Sequence, residues 1–333
     1  MSPPHPQPAA PARTVPPLPS EESIDTLLAW SAAGLKTALV TLVGIDGTTP
    51  RPLGAQMAVA EDGRFSGYLS GGCFEPSVAK EAQTAIGERR NRLVRYGKGS
   101  RYLDLKLPCE SGLDIYFDQG LDPDILAKAQ RLRNSRQPFV LATDLISGLS
   151  RIELPEISCQ TPLASRSGDL FRRTYRPSTR VLLAGGGPAL TAIARLLAVT
   201  GFDLSILTPE DSIRAELTKA GLPAAPLTDV ARVDITFADT WTAIVVAFHE
   251  HEWEVPLLAR LLRTPSFYIG VMGSRREHEK RLAQLTAMGC SADDLRRLRS
   301  PIGLISGAKS QTSLAAGVLA EVVQEAKVAG LLP

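Results

Sequence analysis

The sequence predicts an α/β protein with an N-terminal mixed α+β domain followed by a C-terminal Rossmann-like, doubly wound parallel sheet. Its 333 residues correspond to about two domains at roughly 150 residues each. The 44% hydrophobic content is enough to form a core in each. The first half contains strand-like runs and a hairpin turn at Asp62-Gly63. In the second half, apolar strand-like runs alternate with helical segments, which is typical of a parallel sheet.

The N-terminal half divides into a tail, a domain and a linker. Residues 1–20 hold eight of the 25 prolines and are predicted to be a disordered Pro-rich tail. Residues 21–155 are predicted to form the first domain with an extension, and residues 156–178, rich in Ser, Pro and Arg, a linker. Ser20 is the expected N-cap of a helix reaching residue 33. Further helices are expected at 74–86 and 124–132, and strands at 38–45, 55–60, 93–96, 113–117 and 139–143.

Residues 179–333 are predicted to form the Rossmann-like domain. An apolar run at 180–184 leads into a glycine turn, and the helix after that turn ends near Gly201. Further strands are expected at 204–207, 243–247 and 268–272, and helices at 189–199, 255–262, 275–288 and 312–327. Ligands of such sheets bind outside the carboxyl ends of the strands, so the segments after the strands are the places to look for a site.

Composition excludes several classes of function. The net charge is only +2 and aromatic residues make up 5%, which argues against a nucleic-acid partner. No apolar run approaches the roughly 20 residues of a membrane span. The four cysteines stand singly, so neither a zinc site nor a disulfide framework is indicated. A reducing, cytoplasmic location is therefore expected.

The glycine turn is the first candidate site. Gly185, Gly186 and Gly187 follow a strand and open a helix, where a Rossmann fold cradles a pyrophosphate. The third position of the glycine motif is Leu190, however, and no acid directly follows the second strand. Glu210 lies two residues after the position expected for the acid that binds the ribose. A tight strand-to-helix turn and a nucleotide site remain equally good interpretations, and NAD(P) binding is doubtful.

Arg51 is the second candidate. Pro50 and Pro52 flank it and stiffen the loop, which holds the guanidinium in a fixed place. A planar fork of donors suits a carboxylate or a phosphate, so Arg51 is predicted to clamp an anion. By itself, the same pattern would fit a rigid hairpin loop with a solvated arginine.

A glycine-cysteine segment is the third candidate. Gly71 and Gly72 precede Cys73, and Pro76 suits the first turn of the following helix. The positive end of a helix lowers the pKa of a nearby thiol, so Cys73 is a candidate thiolate. The alternative is a small buried hydrophobe. Cys109 lies in a second turn. Between the two cysteines is a basic run that either lines an anion-binding groove or forms a solvated face: Arg89, Arg90, Arg92, Arg95, Lys98 and Arg101.

Two further motifs follow strands of the second half. His249 and His251 follow a strand, and alternation is expected to place both imidazoles on one side; a hydrogen-bonded or capping pair is favoured over a metal site. Ser274 is a predicted N-cap, and Arg275 and Arg276 follow it. Ser274 and Arg275 are therefore candidates for binding an anion at the edge of the sheet.

Together these motifs resemble the XdhC/CoxI family, the accessory proteins of xanthine dehydrogenase and related molybdenum hydroxylases. The resemblance rests on the segments 49–55, 70–75, 107–109, 249–252, 268–276 and 301–303. It implies binding of molybdenum cofactor, in its molybdopterin or dinucleotide form, by Arg51, Gly71, Gly72, Cys73, Glu75 and Cys109. Cys73 either ligates molybdenum or shields it. The chain departs from the family pattern at Pro188, where a His is usual, and at Thr208, where an acid is usual.

The resemblance implies a maturation chaperone rather than an enzyme. Such a protein protects the cofactor during its sulfuration and inserts it into an apo molybdenum hydroxylase. The implied partners are that apoenzyme and a cysteine desulfurase. A homodimer is a further expectation. The alternative function is a nucleotide-dependent oxidoreductase that uses the C-terminal crevice. A third candidate function is that of an interaction scaffold whose Rossmann unit docks the target enzyme.

Overall fold

The computed structural model describes residues 23–72, 74–100, 111–158, 160–248 and 251–332. The chain divides into two compact units, with the boundary between Pro177 and Ser178. Cys73, Cys109 and His249 lie outside the described residues, as do the predicted N-cap Ser20 and the Pro-rich tail.

The first unit is built on a five-stranded antiparallel sheet in the order β3-β2-β1-β5-β4. Its elements are α1 (Ser23–Ala32), β1 (Thr37–Asp46), β2 (Gln56–Ala60), β3 (Phe65–Gly67), α2 (Glu75–Glu88), β4 (Arg92–Gly97) and β5 (Gly112–Gln119). Helix α2 covers one face of the sheet through Val78, Ala82 and Ile86. On the other face, Ile24, Leu27 and Leu28 of α1 pack with Leu39 and Ala58. The predicted mixed α+β domain is confirmed.

A second, four-stranded antiparallel sheet completes this unit in the order β7-β6-β9-β8. After α3 (Pro123–Asn134) come β6 (Phe139–Asp144), β7 (Ser150–Glu153), β8 (Ala164–Ser167) and β9 (Leu170–Tyr175). Phe139, Leu141 and Tyr175 pack in the same cluster as α1 and the first sheet. The two sheets of the first unit therefore share a core.

The linker expected over residues 156–178 is wrong, because residues 164–175 of that segment form the β8–β9 hairpin. Its Ser and Arg residues suggested a solvated chain, and β8 is indeed largely exposed. In β9, however, Phe171, Arg173, Thr174 and Tyr175 are buried. The turn at Gly168, whose φ is +60°, was the sequence signal for this hairpin.

The second unit has a six-stranded parallel sheet in the order β12-β11-β10-β13-β14-β15. This is the strand order of the Rossmann fold, and the expected doubly wound sheet is confirmed. The strands are β10 (Arg180–Gly185), β11 (Asp203–Thr208), β12 (Ala224–Pro226), β13 (Thr242–Ala247), β14 (Tyr268–Val271) and β15 (Leu298–Arg299). The helices are α4 (Gly187–Leu197), α5 (Asp211–Lys219), α6 (His251–Leu261), α7 (Arg275–Ala287), α8 (Ala292–Arg296) and α9 (Gln311–Val328), with a 3₁₀ turn at Val230–Arg232.

Both faces of the parallel sheet are covered, as such sheets require. Val181 and Leu183 of β10 pack with residues of α4, α5 and α9. Leu182 and Ala184 face the opposite side and pack with residues of α6 and α7. Successive residues of β10 from Val181 are thus all buried, which explains why this strand is a continuous apolar run in the sequence.

Candidate functional site

Three connections of the first unit have their ends at the side of the five-stranded sheet where β1, β3 and β4 end, which we call the loop edge. The strand registers place the end of β1 and the end of β4 beside Gly112 at the start of β5. They also place Met57, near the start of β2, opposite Gly67 at the end of β3. The ends of the connections 47–55, 68–74 and 98–111 consequently lie on the same side. This arrangement brings the loop of Arg51 and the turn of Gly71 and Gly72 to a common edge.

The connection 47–55, which carries Arg51, is tied down near both ends. The amide of Thr48 donates to Ser111 Oγ at 3.2 Å, and Ser111 Oγ donates to the carbonyl oxygen of Thr48. Near the other end, the Gly54 amide donates to the Leu42 carbonyl oxygen at 2.8 Å. Arg51 itself is half-buried, and its amide donates to Thr49 Oγ1 at 3.3 Å. The structure thus supports the expected rigid loop.

Arg173 of β9 holds the same loop from the second sheet. Its Nε donates to the Gly54 carbonyl oxygen at 2.8 Å, and its guanidinium lies over the Tyr175 ring, 5.0 Å from the centroid. Gly54 has φ +84°, and a Cβ there would lie 2.5 Å from the Ala164 Cβ. The position therefore admits only glycine, both for its conformation and for the close approach of β8.

Glu75 supports the glycine turn from inside. Its side chain is buried, and its carboxylate accepts hydrogen bonds from the amides of Leu69, Ser70 and Phe74 at 3.1, 2.8 and 3.2 Å. The Ser70 hydroxyl adds a further bond at 3.0 Å. This corrects the sequence-based role of Glu75 as a cofactor contact: a carboxylate with this many internal donors positions the turn instead.

The turn itself is open. Gly71 and Gly72 are exposed, and a Cβ at either would meet no described atom within 4 Å. Gly72 has φ +101°, which a residue with a side chain rarely adopts. Helix α2 begins immediately afterwards at Glu75 with Pro76 in its first turn, as predicted. The sequence-based expectation of a glycine turn at a helix N-terminus is confirmed.

The basic run does not line one groove. Arg92 lies at the start of β4, opposite the loop edge, and pairs with Glu81 and Glu88. Arg95 is nearer the loop edge, where it pairs with Asp46 at 3.0 Å and Asp114 at 3.1 Å. The basic run therefore extends along β4, and the charges of Arg92 and Arg95 are neutralised by neighbouring carboxylates. Arg101 lies outside the described residues.

Sequence reasoning missed a polar interior between the two sheets of the first unit. A cavity of about 20 Å³ is lined by Thr41, Gln56, Tyr116, Asp118, Thr143 and Arg173 among other residues. Burial raises the pKa of Asp118 to about 7 and that of Tyr116 to about 12. The alternation of Asp114, Tyr116 and Asp118 along β5 was the signal that these polar side chains share one face.

In the second unit, the candidate residues lie at or just after the carboxyl ends of β10 and β14. Gly185 is required by packing, because a Cβ there would lie 2.2 Å from the Ala247 carbonyl oxygen. Gly187 begins α4 with φ +69°. Ser274 is the N-cap of α7, as predicted, and accepts from the Glu277 amide at 3.2 Å. Arg275 is exposed. Gly185 and Ser274 thus have demonstrable structural roles.

Buried charges support this edge and were not anticipated from the sequence. Arg281 and Glu254 are each 1% exposed and pair at 2.6 Å. Arg281 also donates to the Met272 carbonyl oxygen at 2.9 Å and to Ser300 Oγ at 3.2 Å. One buried guanidinium therefore joins the segment after β14 to the segment after β15.

Neither a metal centre nor a membrane span is found in the described part of the chain. Within those residues no three His, Cys, Asp or Glu side chains are grouped so as to hold a metal ion. None of the helices there is both long and apolar enough to cross a bilayer. Cys290 carries a free, partly buried thiol whose pKa burial raises, so it is a poor nucleophile.

The fold and the two edges define a two-unit α/β protein with a Rossmann domain in its second half. A family model described as the XdhC Rossmann domain matches residues 181–322, and one described as the XdhC and CoxI family matches residues 30–97. The chain belongs to the XdhC/CoxI family, as its motifs indicated.

Named relatives agree with this assignment. The molybdenum cofactor insertion chaperone PaoD of Escherichia coli K12 is 33% identical over 87% of this chain and 83% of its own length. A protein of Bacillus subtilis named as a probable xanthine dehydrogenase subunit is 24% identical over 88% of this chain and 94% of its own. A crystal structure described as a xanthine dehydrogenase from Bacillus halodurans has a TM-score of 0.72 at 18% identity. It covers 92% of this chain and 96% of the other, and it supports the fold.

Proposed function

We propose that this chain is a chaperone for the molybdenum cofactor. It binds the cofactor, protects it while the terminal oxo ligand is exchanged for sulfur, and inserts it into an apo molybdenum hydroxylase of the xanthine dehydrogenase/aldehyde oxidase type. It acts by binding and transfer, without catalysis of its own. The observation that carries this proposal is the meeting of the Arg51 loop and the Gly71-Gly72 turn at one edge, in a chain 33% identical to an insertion chaperone.

The loop edge has the chemistry that an anionic cargo needs. The cofactor carries phosphate and dithiolene sulfurs, and the planar donor fork of Arg51 suits a phosphate. The Ser111 and Gly54 contacts keep the Arg51 loop in place before binding. No described residue crowds Gly71 or Gly72, which favours a close approach of a ligand to the backbone. Cys73 and Cys109 belong to the same two connections as Gly72 and Ser111. We propose both as cofactor contacts, with Cys73 as ligand or shield of the molybdenum.

The proposed partners follow from this role. The apo molybdenum hydroxylase receives the cofactor, and a cysteine desulfurase supplies the sulfur, both in the cytoplasm. We also propose that the protein is a homodimer. Light scattering on the purified chain tests the dimer, and anaerobic binding to the purified desulfurase tests that partner. A monomer, or no complex with cofactor-loaded protein, would remove the corresponding part of the proposal.

The central experiment is anaerobic purification of the full chain from cells that make the cofactor, followed by pterin and molybdenum analysis. We expect both in near-stoichiometric amount. Arg51→Ala and Cys73→Ala should lose most of the bound cofactor. The matched controls are Arg64→Ala, whose guanidinium binds Asp62 at the opposite edge of the sheet, and Cys290→Ala in the second unit. These should retain it.

Two results separate the parts of this proposal. A parent protein that carries neither pterin nor molybdenum contradicts the chaperone function itself. A parent protein that is loaded, together with fully loaded Arg51→Ala and Cys73→Ala variants, contradicts the location of the site. Melting temperatures of all variants show whether any loss reflects misfolding.

A further inference from the structure

The glycine turn of the second unit has its backbone donors engaged within the protein. The Gly186 amide donates to the Ala247 carbonyl oxygen at 3.1 Å. The Gly187 amide donates to Glu210 Oε1 at 2.7 Å. Pro188, the next residue, has no N–H. A Rossmann turn binds a pyrophosphate through amides at this place, so the usual donors are committed or absent.

The Glu210 carboxylate lies directly against the glycine backbone. A Cβ on Gly186 would be 2.1 Å from Glu210 Oε1, so the carboxylate uses the close approach that glycine permits. In a dinucleotide-binding Rossmann fold the pyrophosphate uses that approach. The protein's own carboxylate thus stands where a bound phosphate would.

Local structure keeps Glu210 in this position. It is the N-cap residue of α5, and its carbonyl oxygen accepts from the Arg214 amide at 3.0 Å. Its own amide donates to Oγ1 of the buried Thr208 at 3.3 Å. Pro209 between them restricts the backbone further. The Glu210 backbone is therefore fixed just after β11, and its side chain reaches the turn after β10.

We propose that Glu210 is a specificity-determining residue that excludes dinucleotides from the Rossmann crevice. The carboxylate satisfies the positive end of α4, which favours an anion there. An incoming pyrophosphate would have to displace it and would meet a like charge. Dinucleotide-binding Rossmann folds carry a ribose-binding acid directly after the second strand. Here Thr208 ends that strand, and Glu210, two residues later, closes the anion position. The inference concerns the second unit and is independent of cofactor binding at the loop edge.

Calorimetric titration of the full chain with NAD⁺ tests the proposal, with ADP-ribose as a second probe. The parent should show no saturable binding at micromolar ligand. Glu210→Ala should bind NAD⁺ at least about tenfold more tightly than the parent, because it removes one charged group that competes for the anion position. Glu210→Gln, which keeps an acceptor but loses the charge, should gain less. Pro188→Ala added to Glu210→Ala restores a donor and should tighten binding further.

The matched control is Glu216→Ala on the same helix. Its carboxylate pairs with Arg195 at 2.8 Å in a half-exposed ion pair, so the change removes the same charge without touching the turn. It should bind NAD⁺ no better than the parent. Micromolar binding by the parent overturns the proposal. Glu210 variants that keep the parental melting temperature but bind NAD⁺ no more tightly than the parent also overturn it. Weaker NAD⁺ binding by Glu210→Ala than by the parent would overturn it too, because Glu210 would then be a ribose ligand.

Discussion

Arg173, in the second sheet of the first unit, donates from Nε to the carbonyl oxygen of Gly54 at 2.8 Å, and so holds the loop that carries Arg51. The side chain is buried, and it also donates to the carbonyl oxygen of Thr174. A segment that the sequence suggested was a linker therefore supports the candidate site. Contacts of this kind, between groups far apart in the chain, have measurable consequences for stability and local motion.

Arg173→Met should loosen the Arg51 loop. The change leaves the Gly54 and Thr174 carbonyl oxygens without this donor and should lower the free energy of unfolding by about 2 kcal/mol. Arg173→Lys, which keeps the charge but not the fork, should recover part of the loss. Hydrogen exchange should rise within residues 47–55 more than in β1. Arg172→Ala, which removes a surface ion pair with Glu153, should cost less than about 1 kcal/mol. Parental exchange rates in the loop of Arg173→Met would contradict the buttressing role.

Glu75→Ala should release the glycine turn. The carboxylate serves several amide donors in a buried site, so its removal should lower the free energy of unfolding by about 3 kcal/mol or more. Urea denaturation measures the loss. Glu88→Ala at the other end of the same helix, where the carboxylate is half-exposed, is the control and should cost under about 1 kcal/mol. Equal effects of the two substitutions would show that Glu75 is not the support of the turn.

Asp118 should make the first unit less stable as the pH rises. Burial raises its pKa in the folded protein from 3.8 to about 7, so between these values the folded state holds a proton that the unfolded state has lost. Stability then falls with pH by up to about 1.4 kcal/mol per unit across this window and levels off above it.

Asp118→Asn removes this titration while keeping the size of the side chain. Subtracting the urea-unfolding free energies of parent and variant at each pH isolates the contribution of Asp118 from that of other carboxyls. The difference should favour the variant increasingly from about pH 4 to about pH 7. A pH-independent difference would contradict the raised pKa.

Tyr268→Phe should destabilise the second unit by about 1.5 kcal/mol. The hydroxyl donates to Glu321 Oε1 at 2.6 Å, and the same carboxylate accepts from the Gly303 amide. Burial and then the Glu321 carboxylate raise the pKa of Tyr268, so the hydroxyl stays protonated at neutral pH. Thermal unfolding checks the effect, with Tyr68→Phe at an exposed position as control. A melting temperature equal to that of the parent would contradict this bond's contribution.

Much of the fold was predictable because it depends on local pattern. The strands β2, β10 and β13 contain uninterrupted apolar runs, and β1 is largely apolar, so their burial could be predicted from the sequence. Short-range chemistry also located helix starts, as Ser274 and Pro76 show. The β8–β9 hairpin was missed because its partner, β6, stands some twenty residues earlier and buries side chains that look polar in sequence.

The candidate site, like the fold, was predictable only in part from the sequence. The order of residues along the chain was enough to identify the groups with donor or thiol chemistry, among them Arg51, Gly71 and Gly72, and to predict that a glycine turn opens α4. What each group faces became known from the folded chain. Strand registers bring distant connections to one edge, the Glu75 carboxylate turns inward to its amide donors, and Glu210 reaches back to Gly187. The approach of Glu210 to Gly187 and the common edge of the connections depend on strand pairing between residues far apart in the chain, which spacing along the sequence does not reveal.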